Sequence, residues 1–170
     1  MMMKATRRTH HSRVWGRAIE ITGEFVVAAP PAEVWDILMD PETICRLATS
    51  CEEARQIDAT HYEGTVRARL GFVTIRASVR GELLEASEPN RMTVALEGET
   101  HGLPGTFRGI ARVDMANVGG ETHGQYSFDL SILGRLGALG RPLLQVTAQR
   151  MAETFAGKMS RHLAETRKQG

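Results

Sequence analysis

The alternation of apolar and polar positions begins at Ile19. Ile19, Ile21, Gly23, Phe25 and Val27 alternate with Glu20, Thr22 and Glu24, the period-two pattern of a half-buried strand. Pro30-Pro31 ends it, and Pro31 suits the first turn of a helix. Over Ala32–Met39, Val34, Trp35 and Leu38 share one face and predict a short helix. Asp40 ahead of Pro41 predicts the cap of a second short helix that includes Glu42 and Ile44. Cys51–Asp58 is polar and weakly patterned and reads as a short edge strand.

Long strands follow in series. Tyr62, Gly64, Val66, Ala68 and Leu70 form one apolar register, with a turn predicted at Gly71. Val73, Ile75, Ala77, Val79 and Gly81 form the next, with a turn at Pro89-Asn90. Met92, Val94, Leu96 and Gly98 lead to a loop over His101–Gly105. Phe107, Gly109, Ala111, Val113 and Met115 lead to a hairpin turn at 117–120, and Gly124, Tyr126, Phe128, Leu130 and Ile132 to the glycine-spaced run Gly134–Gly140. Leu144, Ala148, Met151, Phe155, Met159 and Leu163 then recur at helical steps. The implied class is α+β: a curved antiparallel sheet of about seven strands, two short helices after the first strand, and a long last helix covering the apolar face. The domain spans 18–168, after a basic leader at 1–17.

Composition sharpens this picture. The chain has 170 residues, with 17 Gly and only nine aromatics. Gly23, Gly64, Gly81, Gly98, Gly109 and Gly124 all fall in the apolar registers. Glycine weakens a strand, so the pattern needs a reason: curvature around a helix, space for a cavity, or both. Met92, Met115, Met151 and Met159 also read as inward, and Met adapts to irregular space.

Charge is lopsided. Residues 1–17 hold five basic residues and no acid, leaving 16 basic against 20 acidic in the remainder. The leader is a frayed terminus or an arm for anionic lipid or an acidic partner. The outward arginines 67, 69, 76, 80, 108 and 112 lack interleaved aromatics, which argues against nucleic acid. No apolar run approaches about 20 residues, and no secretory signal opens the chain. Cys45 and Cys51 are accordingly expected to be two ordinary thiols, neither disulfide nor zinc ligands.

Catalytic patterns are sparse. There is no GxSxG, HExxH or P-loop; Asp129 and Glu97 alternate outward, His61 and His123 fall in outward registers or at strand ends, His101 in a loop and His162 near the end of the last helix. Tyr62 and Tyr126 are the inward polar tips. No catalytic residue, metal or covalent cofactor is assigned.

Several stretches resemble the carbon monoxide dehydrogenase G-subunit family, within the helix-grip superfamily of START domains, Bet v 1 allergens and polyketide cyclases. They are Pro31-Ala-Glu-Val-Trp-Asp-Ile-Leu-Met-Asp-Pro-Glu42, Cys51-Glu52, Tyr62-Glu-Gly64, Phe107-Arg-Gly109 and Ile132-Leu-Gly-Arg-Leu-Gly-Ala-Leu-Gly140. Thr49-Ser50 stands where the family usually has Pro-Gly before the Cys-Glu pair, and the chain stops a few residues past the last helix. The resemblance implies a helix-grip fold and an accessory protein that holds a lipid or quinone in a hydrophobic cavity. It also implies help in maturing a molybdenum hydroxylase, or in recruiting it to the inner face of the membrane from the cytoplasm. The alternative is a cyclase or hydrolase of the same fold. The residues expected to enclose the ligand are Leu96, Phe107, Met115, Tyr126 and Phe128 from the sheet, with Leu139, Met151 and Phe155 from the helix side.

Overall fold

The computed structural model describes residues 18–169, so the expectation for the basic leader falls outside the described residues. The chain runs β1 (Ala18–Val27), α1 (Pro31–Leu38), α2 (Pro41–Leu47), β2 (Cys51–Gln56), β3 (His61–Leu70), β4 (Val73–Ser87), β5 (Arg91–His101), β6 (Gly105–Val118) and β7 (Glu121–Gly134). A 3₁₀ turn (Arg135–Leu139) then leads into α3 (Arg141–Gln169). The strands form one antiparallel sheet in the order β1-β7-β6-β5-β4-β3-β2. The two short helices carry the chain from one edge to the other, and a meander brings it back beside β1. This is the helix-grip architecture the sequence predicts.

Local signals place the elements. Asp40 Oδ1 accepts from the Glu42 N–H at 3.2 Å, and its other oxygen accepts from the Thr43 hydroxyl at 2.6 Å. The Thr43 bond is the largest cause holding the Asp40 carboxyl below its ordinary range. β4 runs past Gly81 to Ser87 because a bulge between Leu83 and Glu85 keeps it in register with β5. Gly71, with φ +67°, opens the two-residue turn between Leu70 and Val73.

One expectation is overturned. Cys45 and Cys51 form a disulfide with their Cα atoms 5.0 Å apart. The chain turns back directly after α2, where the Cys51 N–H bonds the Ala48 carbonyl. A bridge therefore ties the end of α2 to the start of β2. An inference from redox compartment has no access to that proximity.

Apolar packing on the concave face divides in two. At one end Val27, Val34, Trp35, Ile37, Leu47, Met92, Met115, Met159 and Leu163 form a buried cluster, joined by Phe25 and Phe155. At the other, Ile19, Ile21, Leu70, Ile75, Leu136 and Leu144 do so, joined by Phe107, Tyr126, Phe128 and Leu139. The first gathers all three helices over the sheet; we call it the far end. The second gathers the 3₁₀ turn and the start of α3; we call it the near end.

Candidate functional site

Cross-strand register sets large residues against small ones. One row reads Tyr62, Gly81, Leu96, Gly109, Leu130 and Ile19 across six strands. The next reads Ala54, Gly64, Val79, Gly98, Phe107 and Ile132. With Gly23 opposite Tyr126 and Gly124 opposite Phe25, all six inward glycines hold the register expected of them.

Their space, however, is taken. A Cβ on Gly98 would lie 2.3 Å from Phe107 Cζ, one on Gly23 would lie 2.1 Å from the Tyr126 hydroxyl, and one on Gly124 would lie 2.1 Å from Phe25 Cζ. Each ring lies over the glycine of its cross-strand partner. Gly64 and Gly109 serve close strand approach instead, with backbone carbonyls of Glu53 and Asp129 at 2.6 and 2.2 Å from such a Cβ. At Gly81 the nearest atom is a Leu96 methyl at 3.3 Å. The glycines therefore seat rings and bring strands together; they do not by themselves leave a void.

Half-buried apolar surface lies between the two clusters. Val66, Val79 and Leu96 point to the concave face, are only half-buried and join neither cluster. On α3, Leu144 and Ala148 pack at the near end and Phe155, Met159 and Leu163 at the far end. Met151 falls on the same helical stripe between them, yet is 36% exposed. Met151, expected on the helix side of the site, thus stands on the covering helix outside both clusters.

The remaining expected site residues divide by end. Phe107, Tyr126, Phe128 and Leu139 pack against the near cluster. Met115 is buried in the far cluster, and Phe155 packs against it. Leu96 and Met151 are the two that stand free in the middle, joined by Val66 and Val79. These two are inward by alternation, but register alone does not set them apart from the aromatic and Met positions.

Polar groups on the concave face are few. Burial, then the Glu153 carboxylate, pushes the Tyr126 hydroxyl above its ordinary value, so it stays a protonated donor at neutral pH. The Tyr62 hydroxyl is buried without a hydrogen-bond partner among the described residues. The charged groups lie on the other face as cross-strand pairs, including Arg91–Asp114 at 2.7 Å, Arg76–Glu52 at 2.6 Å and Arg55–Glu63. Ser78 Oγ and His101 Nε2, 2.8 Å apart, are exposed there as well. A depression of about 620 Å³ beside β1 and β6 has a mixed lining, with Glu24, Arg91, Asp114, His123 and Gln125 among Phe25, Val26 and Met115. Among the described residues no group of three His, Cys, Asp or Glu is placed to hold a metal, and no helix is long and apolar enough to cross a membrane.

A sheet gripping one long helix over a partly half-buried apolar face defines the helix-grip fold. The chain is similar to a conserved protein from Geobacillus kaustophilus at 19% identity, covering 87% of this chain and 97% of that one, with a TM-score of 0.79. It is similar to a START superfamily protein from Mycobacterium smegmatis (14% identity, 84% and 97% covered, TM-score 0.63). The Zhui aromatase/cyclase from Streptomyces sp. R1128 matches at 15% identity, with 86% and 96% covered and a TM-score of 0.62. At these identities the likeness is one of fold. No curated protein matches. Residues 23–164 match the model of the carbon monoxide dehydrogenase G-subunit (CoxG) family, and the chain belongs to that family.

Proposed function

We propose that the protein is a non-catalytic accessory factor that holds a lipid or quinone between the sheet and α3. In this reading it serves a carbon monoxide dehydrogenase-type molybdenum hydroxylase, in its maturation or its recruitment to the inner face of the membrane. Family membership supports the association. The observation that carries ligand binding is the set Val66, Val79 and Leu96, inward and outside both clusters, with the exposed Met151 on the covering helix. Apolar side chains left half-wet on a concave face are stabilised by an apolar guest. Tyr126 would offer such a guest one hydrogen bond. Residues 1–17, with five basic side chains, would add contact with anionic lipid.

Native mass spectrometry of the protein purified from its own host tests the ligand. The expected result is a bound apolar mass that Gly81→Leu displaces while the fold stays intact, since the only tight contact of a Cβ at Gly81 is a yielding Leu96 methyl at 3.3 Å, with Val94 and the Ala95 carbonyl at ordinary distances. Gly109→Leu would not serve, because it drives a side chain into the Asp129 carbonyl. A protein that is always empty and takes up neither a menaquinone analogue nor phospholipid would sink the ligand reading. Co-purification of the hydroxylase by Gly81→Leu as well as by wild type would then separate partner binding from ligand binding.

A further inference from the structure

The near end of the sheet carries a surface that the cavity does not account for. Phe72, the second residue of the Gly71-Phe72 turn, is 101% exposed. Such a tip is ordinarily polar, and nothing in the turn requires an aromatic there. The antiparallel topology brings this tip to the same end as the β5–β6 loop and the entry to α3. Gly105 pairs with Gly134, Leu136 N–H bonds the Pro104 carbonyl at 3.1 Å, and a Cβ on Gly71 would lie 3.6 Å from Leu143 Cδ2. Val73, Ala138, Pro142 and Val146 add exposed apolar surface beside it.

This end is rich in arginine, and strand pairing brings the acids Glu52 and Glu99 beside it. Segments 66–76, 100–108 and 130–146 contain Arg67, Arg69, Arg76, Arg108, Arg135 and Arg141 and no Asp or Glu, although the chain beyond residue 17 is net acidic. Arg67 and Arg76 are engaged by Glu52. Arg69, Arg135 and Arg141 are exposed and have no ion-pair partner among the described residues; Arg69 bonds only the Gly71 carbonyl, at 3.3 Å.

We infer that the near end docks on an anionic lipid surface, with Phe72 inserted at the headgroup level and Arg69, Arg135 and Arg141 against lipid phosphates and carboxylates. A projecting aromatic ringed by unpaired cations fits a fluid anionic interface, where each cation adds attraction and the ring finds hydrocarbon. A stable protein interface buries roughly 1,600 Å² in all around a packed centre, and one projecting side chain with four small apolar neighbours offers no such centre. Docking of this kind goes beyond the cavity reading and stands whether or not the cavity is filled. It is also distinct from contact through residues 1–17.

Co-sedimentation of the full chain with phosphatidylcholine vesicles, with and without 30% phosphatidylserine, tests it. The expected result is binding to the serine-containing vesicles alone, lost at high salt. Phe72→Ser should weaken it about tenfold, and the Arg135→Glu/Arg141→Glu pair by at least as much. Thermal melting should be unchanged in both variants, since all three side chains are exposed. Because both variants leave residues 1–17 intact, vesicle binding that ignores them would assign attachment to the leader and overturn the inference. Loss of binding to a purified hydroxylase in Phe72→Ser, with vesicle binding unaltered, would overturn it in favour of a protein partner.

Discussion

The two ends of the sheet are held by different means. At the far end side chains bond the turns into place. Asp58 Oδ1 accepts from the N–H groups of Thr60 and His61, both at 2.9 Å, Asn117 accepts from the Gly120 N–H, and Asn90 donates to the Met115 carbonyl. Thr122, fully buried, donates to the Ala29 carbonyl at 2.7 Å and fastens the exit of β1. At the near end four glycines, Gly71, Gly102, Gly134 and Gly140, turn the chain through positive φ, against Gly119 and Gly120 in a single far-end hairpin, and Thr100 donates to the Leu103 and Gly105 carbonyls. Three helices seal the far end, whereas a glycine-spaced 3₁₀ turn covers the near end. The lesson is a division of labour: the far end is a pinned floor, and the near end meets the surroundings.

Truncation of the core should expose this difference most sharply. Trp35→Ala at the floor is expected to cost about 3–5 kcal/mol in urea unfolding. Leu96→Ala, in the half-buried middle, should cost less than about 2 kcal/mol, and more once a ligand is bound. Equal costs would dissolve the distinction between packed ends and open middle. Gly98→Ala comes next, because its methyl must displace the Phe107 ring; a loss of about 1–3 kcal/mol is expected, partly recovered by Phe107→Leu in the same chain. Thr122→Val should cost about 1–3 kcal/mol by leaving the Ala29 carbonyl unpaired, with faster amide exchange confined to the far end of β1 and β7.

The smallest effect is a pH dependence at the far end. The hydrogen bond that the His61 ring donates to Asp58 is the largest cause raising His61 above 6.5, and the Thr60 and His61 bonds hold Asp58 below 3.8. A raised histidine stabilises the fold below its unfolded value and loses that contribution as pH rises through the folded one. A lowered aspartate stabilises above its unfolded value and loses it as pH falls through the folded one. Their joint contribution is therefore greatest between 3.8 and 6.5. Both groups are exposed, so the effect on unfolding is slight. Proton resonances of the His61 ring should titrate above the ordinary range and return to it in Asp58→Asn.

Most of the fold was legible because alternation is a one-dimensional record of which face is wet. Every long strand from Ile19 to Ile132 announced its inward set, and the glycines fell in it. The site was less legible, since register shows direction but not contact. Phe107 and Tyr126 were visible as inward, but that they lie down over Gly98 and Gly23 depends on which residues face each other across strands. Met151 shares its helical stripe with buried neighbours and differs only in what stands opposite. The Cys45–Cys51 bridge depends on a reversal of the chain that no spacing rule conveys.

The way α3 lies along β1 has a consequence for self-association. Gln145 and Gln149 donate to the Glu20 and Thr22 carbonyls, both at 3.2 Å. Four residues of helix advance about 6 Å and two of strand about 6.6 Å, so side chains one turn apart meet alternate carbonyls of an outer strand. The helix thus acts as a surrogate eighth strand and occupies bonding positions that another chain's β-ribbon would need. The opposite border, β2, carries Glu52, Glu53 and Arg55 in six residues. One border is blocked by amides and the other guarded by charge, which lets an open sheet stay open without becoming a template for fibrils.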